Sequence, residues 1–579
     1  MFQYCLRLIK LFICHRNFKT PLRMKKILLL AFSAATFALG AQIRYLDEVF
    51  TPGQIDITHD VTYGTNINYF ISDFTNLSCV GQDLGQLWPL VLTSQPIPAK
   101  YYNPADTTTC LKVSDLKFDV YKPSSLADTA TNRPVFVYLH TGSFLPVCIN
   151  GGVTGERIDS SAVNICKRMA MRGYVAFSVS YRGGWNPLAA SALQRRAQLL
   201  NAVYRALLDT KQAIRVIKAD ASTYGIDPTK VVLYGQGTGG YIALGYATLD
   251  RGSELLTDGK FELSPGVSVI DTNTAGYMNG IGPVGSLNLY IGNGQNSEIS
   301  ALVHTGGAMP DTSWINGGEV PMIAFHCLRD PYAPFMNGDV LTPPNADFVV
   351  EVQGAGEYMK KVNAKGNNAC FYNRAWNDPY TLSARAKYGK TYGYIFPAPD
   401  DEITLYGQAD IDGVYPVVLP LGASFFLNQN SPWEFWDQAT AIGRCGAQTN
   451  GQSLAANPGM GKAKSTTYVD TIMGYMAPRL ACALSLPGTE VFGVEEALAS
   501  GSLTIFPNPA NEMFTVRVTA QNVQLETIEV IDITGKRLAE VSAKGETEKQ
   551  VDVASYAAGI YLVRVHTTKG VTVQKITVK

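Results

Sequence analysis

Histidine is scarce in this chain, and from residue 327 to residue 565 there is none. The six histidines stand at positions 15, 59, 140, 304, 326 and 566, so chemistry that needs an imidazole has few candidates. An excess of one charge is lacking too. Forty-eight Lys and Arg balance 48 Asp and Glu, for a formal net charge of zero, and nothing in the bulk points to nucleic acid or to an anionic membrane surface. No Cys-x-x-Cys pair occurs, which argues against a zinc site of the usual spacing. Past residue 41 no segment reaches the 18 or so apolar residues of a membrane span. What is present is 46% hydrophobic and 17% charged, a globular composition with ample material for a core. Its length implies two or three domains, and no cofactor is expected.

The amino terminus has the layout of a secretory signal peptide. Met24-Lys25-Lys26 opens a basic segment, Ile27 to Leu39 is apolar but short for a span, and Ala38-Leu39-Gly40 supplies small residues for cleavage. Residues 1–41 are therefore read as an extension and signal peptide. Cleavage there would remove Cys5 and Cys14 and leave eight cysteines, an even number that favours disulfides in an exported chain. Sequential pairing predicts Cys79–Cys110, Cys148–Cys166, Cys327–Cys370 and Cys445–Cys482.

Residues 42–110 alternate apolar and polar and read as a few early strands with an irregular entry. From residue 113 the pattern sharpens. Leu116 to Tyr121, Pro134 to Leu139, Tyr174 to Tyr181, Lys230 to Tyr234, 301–305 and 320–326 read as strands, several of them continuous apolar runs that suit burial on both faces. Ser161 to Arg172, Gln198 to Lys218 and Gly239 to Leu249 read as helices between them. Strands alternating with helices predict a mainly parallel, doubly wound sheet, with ligands at the carboxyl ends of its strands. Residues 371–464, rich in Gly, Pro, Asn and aromatics, fit poorly and are read as an elaborated insertion. Thr466 to Leu484 is again helical and closes a domain of residues 42–485. After a linker at 486–502, short alternating strands from 503 to 579 predict a small all-β sandwich.

That last segment carries a family resemblance. Phe506-Pro507-Asn508-Pro509-Ala510, Asp532-Ile533-Thr534-Gly535-Lys536 and Gly559 to Val565 resemble a type IX secretion sorting domain. The resemblance implies the outer-membrane secretion machinery as partner, and a protein released outside or held at the cell surface.

Three further segments resemble the carboxylesterase-like branch of the α/β hydrolases. His140-Thr141-Gly142-Ser143-Phe144 follows a buried strand and is similar to the loop whose backbone N–H groups form an oxyanion hole. Gly142, Ser143 and the N–H of Thr238 would be the donors, although Thr141 and Ser143 stand where the family has glycines. Gly235-Gln236-Gly237-Thr238-Gly239 resembles the nucleophile elbow, but its tip is Gly237, which has no side chain. Pro321 to Tyr332 resembles the strand and loop bearing the triad acid, and Asp330 maps onto that acid. The base should follow the acid, and the histidine-free stretch begins there.

Two functional readings stay open. The first is a secreted α/β-hydrolase-fold protein that is catalytically degenerate and binds a ligand or surface partner. The second is an active secreted esterase or hydrolase with a non-standard site, in which Thr238 or His304 substitutes for a missing group. Two weaker signals lie in the insertion. Asp410 and Asp412 are calcium candidates, against a solvated loop. Trp433, Phe435 and Trp436, with Tyr380, Tyr388, Tyr392 and Tyr394, offer an aromatic platform, against ordinary packing.

Overall fold

The computed structural model describes residues 43–342, 346–372, 376, 378–394, 401–405, 412–487, 503–520, 522–532, 537–568 and 570–579. Among these, β1 (Ile55–Ile67), β2 (Val113–Pro123), β3 (Arg133–Leu139), β4 (Val175–Val179), β5 (Ile226–Gln236), β6 (Ala301–Thr305), β7 (Met322–Cys327) and β8 (Val414–Val417) form one sheet, ordered β1-β2-β4-β3-β5-β6-β7-β8. β1, β2 and β4 pair antiparallel. From β4 onward every pairing is parallel. β3, β4, β6 and β7 are buried at every residue, which is why they read as unbroken apolar runs.

The helices follow from the same pattern. α1 (Leu77–Leu92) lies between β1 and β2, α2 (Ser160–Met171) between β3 and β4, α3 (Ala192–Ala219) between β4 and β5, and α4 (Thr238–Thr248) between β5 and β6. α5 (Ala355–Ala364) precedes β8, and α6 (Gln438–Ala456) and α7 (Lys462–Ala483) follow it. Ser191 caps α3 by accepting from Gln194 N–H at 3.2 Å, satisfying a donor the first turn leaves open.

Three expectations need correction. Residues 42–110 hold not only strands but α1. Gly81, Gly85 and Pro89 weaken its sequence signal, while the Asn76 cap and the burial of Leu87 and Trp88 hold it. The stretch 371–464 is not only an insertion, since Val414–Val417 within it pairs with β7 as an edge strand of the main sheet. The disulfides follow space rather than sequence order. Cys79–Cys110 forms as expected, but Cys148 bonds Cys445, and Cys166 and Cys327 keep buried free thiols. The pairings Cys148–Cys166, Cys327–Cys370 and Cys445–Cys482 are therefore excluded.

The carboxyl-terminal strands are β9 (Leu503–Phe506), β10 (Met513–Val518), β11 (Leu525–Ile531), β12 (Arg537–Glu546), β13 (Glu548–Asp552), β14 (Gly559–Thr567) and β15 (Gly570–Val578). They form two antiparallel sheets, β9-β10-β13 and β12-β11-β14-β15. Phe514, Val516, Ile528, Val530, Val563 and Ile576 fill a core of their own, as alternating strands of a sandwich require. Gly535 and Lys536 of the sorting motif lie outside the described residues. Among the described residues no helix is long and apolar enough to cross a membrane.

Candidate functional site

The carboxyl ends of β3, β5 and β7 bring the expected segments together. Between β5 and α4, Gly237 adopts φ 53° and ψ −112°, a conformation strained for any residue with a side chain. Its N–H donates to Thr305 O at 2.8 Å, and its carbonyl accepts from Gly240 N–H at 2.8 Å. The glycines beyond the tip allow close approach. A β carbon on Gly239 would collide with the Leu139 carbonyl, and one on Gly240 with the Gly306 carbonyl, so α4 presses directly on the strand ends.

The elbow is intact as backbone, but its space is taken. A β carbon on Gly237 would overlap the Thr141 hydroxyl oxygen and lie 3.1 Å from Thr141 Cβ. Thr141 stands where the family carries a glycine, so the side chain missing from one position reappears at the other.

The oxyanion loop is similarly engaged. Gly142, Ser143 and Phe144 take φ values of 129°, 54° and 57°, a tight reversal in which two residues bear side chains. Ser143 N–H, an expected oxyanion donor, donates to Thr238 Oγ1 at 2.8 Å, and the Trp185 indole donates to Ser143 O at 2.8 Å. Thr238 thus uses its hydroxyl oxygen to close the loop, which disfavours it as a substitute nucleophile. His140 Nδ1 donates to Thr141 O at 2.5 Å, and its ring stacks on Tyr181 with centroids 4.4 Å apart. Burial pushes this imidazole down to about 4.

Asp330 follows β7 and is buried. Its Oδ1 accepts from Tyr332 N–H at 2.9 Å and Ala333 N–H at 3.0 Å. A β carbon on Gly306 would sit 3.2 Å from Asp330 Oδ2 and 3.8 Å from Gly237 Cα, so acid and elbow share one corner. Burial outweighs these hydrogen bonds and raises the Asp330 carboxyl to about 7. The Asn430 side chain, on the loop after β8, lies near enough to favour the ionised carboxyl, against the effect of burial. In the hydrolase pattern the base follows the acid in the chain; Asn430 follows Asp330, and an amide cannot act as a base. Asn430 escaped the sequence reading because β8 was hidden inside the irregular stretch.

His304 is held by structural partners. Its ring is wholly buried, Nδ1 donates to Gly306 O at 2.8 Å, and Nε2 takes the Tyr358 hydroxyl. Burial, with His326 nearby, drives it down to about 3. His326 is equally committed, donating from Nε2 to Ala333 O at 2.8 Å. Asp412 is not a calcium ligand either, because its carboxylate pairs with the buried Arg479 at 3.3 Å. Asp410 lies outside the described residues. Among the described residues one group has metal-ligand spacing, Cys79, Asp83 and Cys110, but both its sulfurs are spent in a disulfide. In the aromatic cluster, Trp433 is buried, Trp436 donates to Asn450 Oδ1 at 2.9 Å and Tyr388 to Val414 O at 2.8 Å, which is packing rather than a platform.

Two features had no sequence signal. A buried polar chain runs from Tyr138 OH to Gln236 Oε1 at 2.5 Å, and from Gln236 Nε2 to Glu434 Oε1 at 2.5 Å. Burial raises Glu434 to about 8, and raises Asp159, which accepts from Gly155 and Glu156 N–H at 2.6 and 2.8 Å, to about 7. Beside the oxyanion loop there is also a cavity of about 300 Å³, walled by His140, Thr141, Phe144, Arg157, Ser180 and Tyr181.

Two family models match the chain. Residues 118–342 match the BD-FAE family, and residues 504–579 match the secretion system C-terminal sorting domain. Among solved structures the chain is similar to Thermogutta terrifontis esterase 2 phosphonylated by cyclosarin, at 20% identity over 38% of this chain and 69% of that one, with a TM-score of 0.25. The propionate-bound form of the esterase from that organism gives 19% identity, 38% and 70% coverage and a TM-score of 0.25. The butyrate-bound form gives 20%, 41%, 73% and 0.24. The chain is an esterase-like α/β-hydrolase-fold protein. Its terminal sorting domain marks it for export by the type IX route, to the medium or the cell surface.

Proposed function

We propose that this exported protein uses its hydrolase scaffold to bind a ligand or surface partner without turning it over. The observation that carries the reading is the overlap between the Thr141 hydroxyl and the position a nucleophile's β carbon would need at Gly237. Acyl transfer requires an activated nucleophile beside a base. Here Thr141 fills the nucleophile's place, Thr238 occupies an oxyanion donor, and Asn430 stands beside the acid in place of a base. Each loss is matched by a new contact, which is how a site settles when chemistry is no longer selected. A scaffold without its triad retains only about 10³–10⁴-fold rate enhancement from binding and the oxyanion hole, and here the hole is engaged as well. The cavity beside the oxyanion loop is our assignment for the ligand's seat. Residues 1–41 are read as extension and signal peptide, 42–485 as the binding domain and 486–502 as the linker.

The test is to treat folded, signal-free protein with a fluorophosphonate probe and short-chain aryl esters. We expect no covalent adduct and no turnover above that of a Thr238→Ala variant. An adduct, or turnover that Thr238→Ala abolishes, overturns the reading in favour of an active enzyme with a non-standard nucleophile.

A further inference from the structure

A second cavity lies at the amino ends of β6 and β7, the opposite edge of the sheet from the site above. Lys211 on α3, Tyr246 and Ala247 on α4, and Ser297, Glu298, Ile299 and Val320 beside the strands line an open depression of about 240 Å³. Lys211 is half-buried, and its ammonium lies 5.0 Å from the centre of the Tyr246 ring. Among the described residues it has neither an ion-pair partner nor a hydrogen-bond partner.

The charges around it are few. Arg215, one turn along α3, donates to Asn279 O at 2.6 Å, Gly280 O at 3.1 Å and Gln212 Oε1 at 2.9 Å, so its positive charge meets only neutral acceptors. Asp250, just beyond α4, is paired with Arg251 at 3.0 Å. Glu298 is exposed at the rim, and the Tyr246 hydroxyl is spent on Ser297 O. Burial first, then Arg215, pushes the Lys211 amine down to about 8, with Asp250 opposing. At neutral pH about a tenth of such an amine is unprotonated, against well under about a thousandth of an ordinary lysine.

We propose that Lys211 is a reactive amine that captures small apolar aldehydes in this cavity as a reversible imine. The unprotonated nitrogen adds to the carbonyl carbon, forming the C–N bond. One N–H proton passes to the former carbonyl oxygen. The C–O bond then breaks and the second N–H proton leaves with the hydroxyl as water while the C=N bond forms, with no oxidant or reductant needed. The neutral imine removes a charge that burial and Arg215 both disfavour, and Ala247, Ile299 and Val320 give the aldehyde's tail an apolar wall.

The test uses the full folded protein, butanal as the aldehyde and cyanoborohydride to trap the imine, with labelled lysines mapped by peptide mass. At pH 7 Lys211 should be alkylated at least about tenfold faster than the median lysine, with a rate whose midpoint falls near pH 8. Val320→Trp, which fills the cavity, should bring Lys211 down to the median rate, and Arg215→Gln should move the midpoint upward. Labelling of wild-type Lys211 at the median rate, or with the pH profile of the other lysines, overturns the proposal whether or not either variant folds.

Discussion

Gly237 and Thr141 form one structural unit, and neither explains itself alone. In the hydrolase pattern a serine stands at the first position and a glycine at the second. Here the hydroxyl-bearing side chain has moved across the gap to the neighbouring loop. Gly237→Ser should therefore not restore an esterase. It should lower stability by about 1–3 kcal/mol, through overpacking against Thr141 and the strained φ of 53°, as chemical denaturation would show. The combined variant Thr141→Gly, Gly237→Ser, Asn430→His returns space, nucleophile and base together. It should produce aryl-ester turnover at least about 100-fold above Gly237→Ser. Equal turnover in the single and triple variants would mean that Asn430 does not occupy the base position.

Among the elements, the loop after β3 and α6 are joined at two points, through adjacent residues of α6 and through Cys148 and Glu156 of the loop. The first is the Cys148–Cys445 disulfide, which closes 297 residues of chain. The second is the Arg444–Glu156 ion pair, with both bonds at 2.7 Å on the exposed surface. These should differ in weight. Cys445→Ser should remove about 2–5 kcal/mol, because a long closed loop is released in the unfolded chain. Arg444→Ala should remove at most about 1 kcal/mol, because water screens the pair. Thermal melts of the two variants settle the order, and equal shifts would count against it. The elements themselves were unequally legible. β3, β4, β6 and β7 announced themselves because burial on both faces makes most of their residues apolar. α1 did not, because glycine and proline inside it speak against a helix that packing and a disulfide nevertheless hold. β8 was lost in its surroundings because four residues carry too little pattern to be seen.

The molecule as a whole carries carboxyls that burial drives well above their usual range. Asp330 and Asp159 are raised to about 7 and Glu434 to about 8, each chiefly by burial. In the unfolded chain such groups titrate near 4. For these carboxyls the native state holds more protons than the unfolded state between about pH 4 and pH 8. The buried histidines offset this below about pH 6.5, so the fall in stability with rising pH is concentrated between about pH 6.5 and pH 8. The melting midpoint at pH 8.5 should lie at least about 2 °C below that at pH 6. Glu434→Gln, which keeps an acceptor for Gln236, should reduce the difference. A midpoint that rises from pH 6 to pH 8.5 would show these carboxyls ionised throughout.

Local sequence was enough for the doubly wound sheet, the sorting domain, the glycine at position 237 and the histidine-free stretch from 327 to 565. Each is written in a contiguous run or in the absence of a residue type, and none depends on what lies opposite in space. Only the tertiary structure decided that a β carbon at Gly237 would overlap the Thr141 hydroxyl, that Cys148 pairs with Cys445 across 297 residues, and that His304 and Asp412 meet buried structural partners. Those outcomes depend on which side chains from distant segments meet at the strand ends. A steric exclusion or a buried hydrogen bond between residues far apart leaves no periodicity for a sequence to display.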